Sequence, residues 1–360
     1  MNGTVRTIGL TGSTGAIGQP LLKHLTGIRG FGVCALVRSQ QPTPMDSVQF
    51  IQADILDPNA LRDLVARSEV VIHLAGRSPR SPQQDAREAD LFIYVNALAT
   101  ATIARLTLQE RKRFIFVSSV SVYELSERKR GIFNEQEPLP GRQEIQDWLG
   151  LVKQRLDEAV HGWLSGKVTK LGETTNDILS THPPPDESTY ALSKLLGERL
   201  IPPRSESVIL RLSDVFGPPD LSSRVIPNLL RSLVRGAGVT VDFGPREIVS
   251  FIYIDDVIQA LDATISIEAA SSLPRVINIA FPRPTTEDEL TQHLRALARE
   301  TGSVAHDRIS AITQPTGTRE SRVYSTRRME KDLGITHPMP LASGLRELWR
   351  FMGDKGRGNL

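Results

Sequence analysis

The chain has 360 residues, and its 43 lysines and arginines nearly balance 41 aspartates and glutamates, for a formal net charge of +2. This length permits one large domain or two ordinary ones with a sizeable core, and the charge predicts neither a nucleic-acid partner nor an anionic membrane partner. A single cysteine excludes an internal disulfide framework, scattered histidines predict no metal site, and no apolar run reaches the ~18 residues of a membrane span.

The first predicted elements are a strand, a glycine-rich turn and a helix. Residues 5–10 are an apolar run, residues 11–18 read TGSTGAIG, and residues 16–25 carry one apolar face. Alone, these glycines fit a plain tight turn as well as a phosphate site. The flanking strand and helix favour phosphate, because bare backbone and a helix N-terminus attract a pyrophosphate. With a strand starting at about the fifth residue, we expect no signal sequence and a cytoplasmic protein.

Beyond this turn, apolar runs alternate with amphipathic segments. The pattern predicts strands over 31–37, 48–52, 70–74 and 114–117 and helices over 61–66 and 86–108. Strands rich in Val, Ile and Phe that are separated by helices form a parallel sheet covered on both faces. We therefore predict an α/β fold, a Rossmann-type doubly wound parallel sheet over residues 1–207, followed by a smaller mixed region over 208–360.

Motifs at the predicted strand ends resemble the extended short-chain dehydrogenase/reductase family, also described as NAD-dependent epimerases/dehydratases, over nearly the whole chain. The matching pieces are TGSTGAIG at 11–18, AD at 53–54, IHLAG at 72–76, Asn96 in YVNALAT, FVSSVSVYE at 116–124, YALSK at 190–194, LRLSDVFGP at 210–218 and FIYIDDV at 251–257. The resemblance implies that the C-terminal region is a substrate domain, parts of which return to the Rossmann sheet. Ala16 departs from the aromatic residue usual in the family's glycine motif.

The resemblance also implies a nicotinamide cofactor. The residues that it assigns to cofactor binding are Thr11, Gly12, Ser13, Thr14, Gly15, Ala16, Ile17, Gly18, Arg38, Asp54, Ile55, Leu74, Ala75, Gly76, Asn96, Tyr190 and Lys194. Asp54 would bond the adenine amine, or else act as a turn aspartate. The second strand ends at Arg38, where an acidic residue would suit NAD and an arginine suits a 2′-phosphate. NADP(H) is therefore favoured, and NAD(H) is the alternative. In the less favoured interpretation, Arg38 is a loop residue that faces solvent and binds no cofactor.

Tyr190 and Lys194 lie four residues apart, on one face of a predicted helix. An isolated YxxxK pair is usually an ordinary exposed pair, but the resemblance adds Ser119 from the end of the fifth strand, with Ser118 as the competing serine. It assigns proton exchange to Tyr190, polarisation of the substrate oxygen to Ser119, and tuning and positioning to Lys194. A phenol has a pKa of about 10, which a neighbouring ammonium would lower towards the working range.

Two positions in the sequence bear on the substrate. Sugar-nucleotide members of the family commonly have an arginine just before the aromatic residue that Phe251 matches, and here Val249-Ser250 stand there. The arginines that could compensate are Arg246, Arg319 and Arg322, because guanidinium groups bind phosphate from several directions. The acidic pair that sugar dehydratases carry after the catalytic serine is Val120-Ser121 here, so dehydration is not expected.

These features predict a small-molecule enzyme. We expect an NAD(P)-dependent oxidoreductase or epimerase that transfers a hydride at a secondary alcohol or ketone of a sugar-like or nucleotide-sugar metabolite. One alternative is an NADPH-dependent reductase of non-sugar ketones or aldehydes. Another is a non-catalytic NADP-binding sensor, which the presence of Tyr190 and Lys194 disfavours.

An insertion of about residues 124–187 makes the loop between the two motifs longer than is usual in the family. Its apolar residues recur at steps of three and four and form one stripe on a predicted helix: Ile145, Trp148, Leu149, Val152, Leu156, Val160 and Trp163. Two arrangements are open. The helix packs on the outside of the fold or on a second subunit of a homodimer, or it forms a lid over the substrate, which we favour because both ends adjoin predicted catalytic residues.

Overall fold

The structure is a computed structural model that describes residues 6–38, 45–79, 88–167, 178–203, 206–267, 273, 275–312 and 319–357. The chain forms two compact units that alternate along the sequence. The first unit comprises Met1–Glu127, Gln136–Arg211 and Thr264–Ile277, and the second comprises Arg128–Glu135, Leu212–Ala263 and Asn278–Leu360. The chain thus crosses between the units several times. The sequence-based division near residue 208, with later parts that return to the Rossmann sheet, stays a prediction.

The strands are short and follow the predicted apolar runs. In chain order they are β1 (Thr7–Thr11), β2 (Gly32–Val37), β3 (Val48–Gln52), β4 (Val70–His73), β5 (Arg113–Ser119), β6 (Arg130–Phe133), β7 (Ser207–Leu212), β8 (Asp214–Phe216), β9 (Val239–Val241), β10 (Ile248–Val249), β11 (Phe251–Tyr253), β12 (Val276–Ile279), β13 (Thr285–Thr286), β14 (Ile309–Ala311) and β15 (Ser321–Tyr324).

The helices separate these strands. They are α1 (Gly18–Lys23), α2 (Pro58–Ala66), α3 (Ala89–Gln109), α4 (Gln143–Leu164), α5 (Ile178–Thr181), α6 (Thr189–Leu200), α7 (Val225–Val234), α8 (Ile254–Ser266), α9 (Glu287–Glu300), α10 (Arg327–Leu333) and α11 (Leu341–Arg357). A π-helical turn, His24–Ile28, continues α1. Asp57 begins α2, where its carboxylate accepts hydrogen bonds from the backbone N–H groups of Asn59 and Ala60.

The first unit is built on a seven-stranded sheet with the strand order β12-β7-β5-β4-β1-β2-β3. β1 pairs in parallel with β2 and with β4, β2 pairs in parallel with β3, and β4 with β5. Strands β2 and β4 are buried almost throughout, as expected where helices cover both faces of a parallel sheet. The predicted Rossmann-type doubly wound sheet is confirmed.

Helix α3 is the one helix among the described residues that is apolar over a long stretch. It is long and apolar enough to cross a membrane by length and composition, although 72% of its most apolar window is buried inside the structure. Its buried residues include Phe92, Ile93 and Ala97. This burial is typical of a core helix in a soluble protein. A helix that is buried on most sides needs apolar residues on most of its surface.

Helix α4, from the insertion, packs against α3 and α6 of the first unit. All seven residues of its predicted stripe are buried. The Trp148 indole donates to the His182 carbonyl oxygen at 3.0 Å, and the Arg62 guanidinium lies 4.4 Å from the Trp163 ring centroid. The stripe is thus already buried within the first unit. This burial favours the helix packed on the fold over the lid. Residues 168–177 of the insertion lie outside the described residues.

Described residues of the last segment of the first unit, Thr264–Ile277, contact the start of β5. Arg113 at the start of β5 is 6% exposed and donates from Nη1 to the carbonyl oxygens of Thr264 (3.2 Å), Ile265 (3.2 Å) and Ile267 (2.5 Å). β12, which begins at the end of this segment, is the edge strand beside β7. The hydrogen bonds of Arg113 and the edge of the sheet beside β7 are therefore both completed by residues that come much later in the chain.

The second unit contains short strand pairs and four longer helices. β6 pairs in parallel with β15, β8 with β11 and β9 with β14, whereas β10 and β13 are antiparallel. Phe216, Phe251 and Tyr253 form an aromatic cluster with edge-to-face contacts. A capping box of Thr286 and Glu289 fixes the start of α9.

Candidate active site

The glycine turn between β1 and α1 is shaped so that two positions accept only glycine. Gly12 has φ +74°, and a Cβ there would lie 2.6 Å from the Ala75 backbone nitrogen. A Cβ at Gly18 would lie 2.0 Å from the Gly12 carbonyl oxygen. The Ser13 side chain is 2% exposed, and its hydroxyl has no hydrogen-bond partner among the described residues. Bare backbone and an unpartnered hydroxyl at a helix start fit a dinucleotide phosphate.

His73 anchors the start of this turn, a role that the sequence did not reveal. Its Nδ1 lies 2.7 Å from the Thr11 hydroxyl and its Nε2 lies 3.1 Å from the Thr100 hydroxyl. The Thr11 hydroxyl also accepts a hydrogen bond from the Ala75 N–H at 3.2 Å. Burial, and secondarily the nearby Lys194, lowers the pKa of His73 to about 3, so the ring is neutral. The only sequence signal was a histidine inside an apolar strand.

Asn96, predicted as a cofactor residue, forms three hydrogen bonds within the protein. It is fully buried, its Oδ1 accepts from the Arg77 N–H at 2.7 Å, and its Nδ2 donates to the Arg77 carbonyl oxygen at 3.0 Å and to the Ser193 hydroxyl at 2.9 Å. All of its side-chain polar atoms are therefore bonded to protein groups. Asn96 holds the loop after β4 against helix α6.

The other predicted cofactor residues follow the ends of adjacent strands. Residues 11–18 follow β1, Arg38 follows β2, Asp54 and Ile55 follow β3, and residues 74–76 follow β4. Because these strands are neighbours in a parallel sheet, their carboxyl ends share one edge. Thr14, Gly15, Arg38 and Asp54 are exposed there, whereas Ala16, Ile17, Ile55, Leu74 and Ala75 are half-buried. Asp54 Oδ1 accepts from the Leu56 N–H at 2.9 Å, the turn role that we left open.

Lys194 is the central buried charge of this region. It is 5% exposed, and its Nζ donates to the Val117 carbonyl oxygen of β5 at 3.0 Å. A Cβ at Gly76 would lie 3.1 Å from that Nζ, so the loop after β4 passes directly beside it. Burial lowers the pKa of Lys194 to about 8, and Glu198 partly opposes this. The loop after β4 therefore meets α6 at a lysine whose pKa lies below its ordinary value.

Tyr190 and Ser119 lie on the elements that flank Lys194. Tyr190 is in the first turn of α6, half-buried, with its ring edge-on to Phe92 at 6.3 Å between centroids. Ser119 ends β5 and is also half-buried, and its hydroxyl oxygen accepts from the Ser121 N–H at 3.1 Å. Helix α6 packs on β5. The three predicted catalytic residues therefore lie in one unit, on a helix and a strand that contact each other.

Ser118, the alternative to Ser119 in the sequence, belongs to a buried hydrogen-bond network. Ser118 is 3% exposed and donates to Glu198 Oε1 at 2.6 Å. Glu198 also accepts two hydrogen bonds from Arg211, from Nε at 2.9 Å and from Nη2 at 2.6 Å. Ser118 is therefore committed to the interior, whereas Ser119 is half-buried. Sequence reasoning missed Glu198 and Arg211; the available signal was the position of Glu198, one helical turn beyond Lys194.

Comparison with known proteins identifies relatives. The model of the NAD dependent epimerase/dehydratase family matches residues 8–144 and 164–280, and nearly all of α4 falls between the two parts. A UDP-glucose 4-epimerase of Vibrio cholerae is 34% identical over 121 residues, 32% of this chain and 36% of that protein. A dTDP-glucose 4,6-dehydratase of Mycobacterium tuberculosis is 32% identical over 96 residues, 26% of this chain and 28% of that protein. The chain thus matches only about a third of the length of these curated relatives.

Two solved structures are similar along almost the entire chain. MoeE5 in complex with UDP-glucuronic acid and NAD has a TM-score of 0.70 and 22% identity, covering 97% of this chain and 99% of that chain. A UDP-glucuronic acid 4-epimerase from Bacillus cereus, in complex with UDP-glucuronic acid and NAD, has a TM-score of 0.70 and 20% identity with the same coverage. At this level of identity, the likeness establishes a shared fold.

Proposed function

Because the chain belongs to the NAD-dependent epimerase/dehydratase family, we propose that it is an enzyme that transfers a hydride at a secondary alcohol or ketone of a nucleotide sugar. The observation that carries the proposal is the approach of the loop after β4 to Lys194, with only 3.1 Å between a Cβ position at Gly76 and the ammonium nitrogen. This contact joins the end of the proposed cofactor site to the helix that carries Tyr190 and Lys194.

The proposed chemistry assigns one task to each side chain. When bound, the nicotinamide supplies the acceptor and donor of hydride. Ser119 hydrogen-bonds the substrate oxygen and holds it towards Tyr190. Tyr190 takes the hydroxyl proton as the alcohol is oxidised and returns it on reduction. Lys194, held by the Val117 carbonyl oxygen, places a positive charge on the same helix face, which favours the phenolate form of Tyr190.

The test is a direct assay with defined substrates. Purified protein is incubated with NAD⁺ or NADP⁺ and UDP-glucose or UDP-glucuronic acid, and products are separated by chromatography while nicotinamide absorbance is followed. A new epimer without net absorbance change indicates epimerisation, and net reduction of the cofactor indicates oxidation of the sugar. Consumption of NADPH with simple ketones, and no reaction with nucleotide sugars, would replace the proposal by the non-sugar reductase.

We further propose that Arg38 makes the site select NADP(H) over NAD(H). Arg38 directly follows β2 and is exposed, and a guanidinium at the end of the second strand suits a ribose 2′-phosphate. The two solved relatives described above hold NAD, so the proposal sets this chain apart from them.

Replacing Arg38 by alanine is expected to weaken NADP⁺ binding about tenfold or more, because a hydrogen bond to a charged phosphate is lost. NAD⁺ binding should hardly change. Isothermal titration calorimetry with both cofactors measures the difference. Arg67→Ala, which removes an exposed arginine of the same unit, is the matched control and should alter neither affinity. Equal affinities of the unmutated protein for the two cofactors would contradict the selectivity proposed for Arg38.

A further inference from the structure

His73 is the middle member of a series of buried hydrogen-bonding side chains in the first unit. The His73, Thr11 and Thr100 side chains are all fully buried. Nδ1 of the ring faces the Thr11 hydroxyl at 2.7 Å, and Nε2 faces the Thr100 hydroxyl at 3.1 Å. A neutral imidazole carries one proton, so one ring nitrogen donates and the other accepts. The position of that proton sets the direction of the hydrogen bonds on both sides.

The Thr100 hydroxyl decides between the two tautomers. Its oxygen lies 2.7 Å from the Asn96 carbonyl oxygen, and two oxygens at this distance need a proton between them. A carbonyl group has no proton to give, so Thr100 donates its single hydroxyl proton to Asn96. The Thr100 oxygen can then only accept from His73. The ring proton of His73 is therefore on Nε2.

The Thr11 hydroxyl continues the series in the same direction. Because Nδ1 carries no proton, Thr11 donates to it, and the Thr11 hydroxyl oxygen accepts the Ala75 N–H at 3.2 Å. The Thr11 carbonyl oxygen accepts the Leu74 N–H, also at 3.2 Å. Thr11 thus holds two successive N–H groups of the loop after β4. If His73 offered no acceptor, the buried Thr11 proton would have to turn elsewhere and would disturb the bond to Ala75.

Asn96 extends the connection to helix α6. Its carbonyl oxygen receives the Thr100 proton, and its Nδ2 donates to the Ser193 hydroxyl at 2.9 Å. Ser193 in turn donates to the Tyr190 carbonyl oxygen at 2.8 Å. The loop after β4 is therefore connected to the first turn of α6 through one buried imidazole ring and its neighbours.

A simpler role for His73 is that of an aromatic group that fills space. Its ring is stacked with Phe114 and Phe116, at 6.2 and 5.7 Å between centroids. A phenylalanine at position 73 would keep this stack but would offer neither a donor nor an acceptor. The buried hydroxyl of Thr11 would then lose its acceptor, which is costly. One substitution can therefore separate the stacking role from the hydrogen-bonding role.

We propose that His73, with its proton on Nε2, is a positioning residue of the cofactor site. It holds the glycine turn and the loop after β4 in place relative to the helix that carries Tyr190 and Lys194. The inference rests on the proposed function, because that function supplies the cofactor that the turn and the loop would bind. His73 is fully buried and acts through Thr11 and Thr100, without touching the substrate.

The proton position is tested on the ligand-free protein. Long-range ¹H–¹⁵N spectra of protein labelled at its seven histidines distinguish a protonated ring nitrogen from an unprotonated one. The signals that disappear in His73→Phe belong to residue 73. At neutral pH we expect a protonated Nε2 and an unprotonated Nδ1. A proton on Nδ1, or on both nitrogens, would overturn the proposal.

Calorimetric titration with NADP⁺ and NAD⁺ tests the positioning role. His73→Phe and Thr100→Val should each bind the cofactor about tenfold more weakly, because each leaves a buried polar group without its partner. His73→Asn, whose amide oxygen can accept from Thr11, should recover part of the affinity lost in His73→Phe. The matched control is Thr102→Val, because Thr102 is equally buried on α3 and donates to the Leu98 carbonyl oxygen at 2.9 Å.

Thr102→Val should bind the cofactor like the unmutated protein. Unchanged affinity in His73→Phe would leave only the aromatic stack and overturn the proposal, and so would an equal loss in Thr102→Val. If the unmutated protein binds neither cofactor, the proposed function fails, and amide hydrogen exchange of residues 11–18 and 74–76 then tests His73 alone. Faster exchange in His73→Phe and Thr100→Val, but not in Thr102→Val, would still support the positioning role. Unchanged exchange in all three variants would reject it.

Discussion

Tyr190→Phe is expected to lower kcat by about 10²- to 10⁴-fold, the usual contribution of a general acid–base group. Phenylalanine keeps the ring that packs edge-on against Phe92 and removes only the oxygen that exchanges the proton. The Kd of the cofactor should therefore stay within about twofold of that of the unmutated protein. Single-turnover kinetics with the substrate identified in the assay above, together with calorimetric cofactor titration, provide the two numbers.

The control for this variant is Tyr94→Phe, which removes a phenol oxygen from helix α3 of the same unit. It should turn over at nearly the unmutated rate. If Tyr190→Phe did so as well, the proton would have to travel by another route, and the assignment of Ser119, Tyr190 and Lys194 would fall with it. A loss of cofactor affinity in Tyr190→Phe that matches the loss of kcat would instead point to a binding role for the phenol.

Glu198→Leu is expected to lower the free energy of unfolding by about 3–5 kcal/mol, because it leaves a buried cation without its partner. The carboxylate accepts from Ser118 and twice from Arg211, and both charged side chains are 6% exposed. Equilibrium denaturation, with a probe in the first unit such as the tryptophans of α4, measures the change. The double variant Glu198→Leu/Arg211→Met should recover much of the loss, because a buried ion pair can be replaced by apolar residues at little cost.

Asp63→Ala serves as the comparison, since it breaks an exposed pair with Arg67 on α2. An exposed pair contributes about 0–1 kcal/mol, so this variant should unfold almost like the unmutated protein. A Glu198→Leu variant as stable as Asp63→Ala would mean that water or another group satisfies Arg211. In that case the Ser118–Glu198–Arg211 network would not be what fixes α6 against β5.

The sheet was predictable because its signal is local. Runs of β-branched and aromatic residues separated by amphipathic segments define a parallel sheet, and the glycine turn needs its glycines for steric reasons that hold wherever it occurs. The site was harder to predict where a side chain has two possible environments. Asn96 occurs in a family motif, yet only the structure shows that its amide is bonded to Arg77 and Ser193.

Burial was predictable, but the surface that buries a residue was not. The stripe on α4 required an apolar contact, and the sequence could not distinguish a lid from the flank of α3 and α6. Likewise, Ser118 and Ser119 are adjacent and chemically identical. Alternation along β5 sends one hydroxyl to Glu198 in the interior and leaves the other half-buried. His73 shows the same limit, since its two hydrogen-bond partners lie on β1 and α3.

The alternation of the two units along the chain has a consequence for synthesis on the ribosome. Translation is N-terminal first, so a domain made of one continuous segment can fold as soon as it emerges. Here, the segment Thr264–Ile277 and strand β12 are made only after α7 and most of α8 of the second unit. Until they emerge, Arg113 lacks its three carbonyl acceptors and β7 is an open edge. The nascent Rossmann unit must therefore wait, incomplete and with an exposed strand, while its partner unit is still being made.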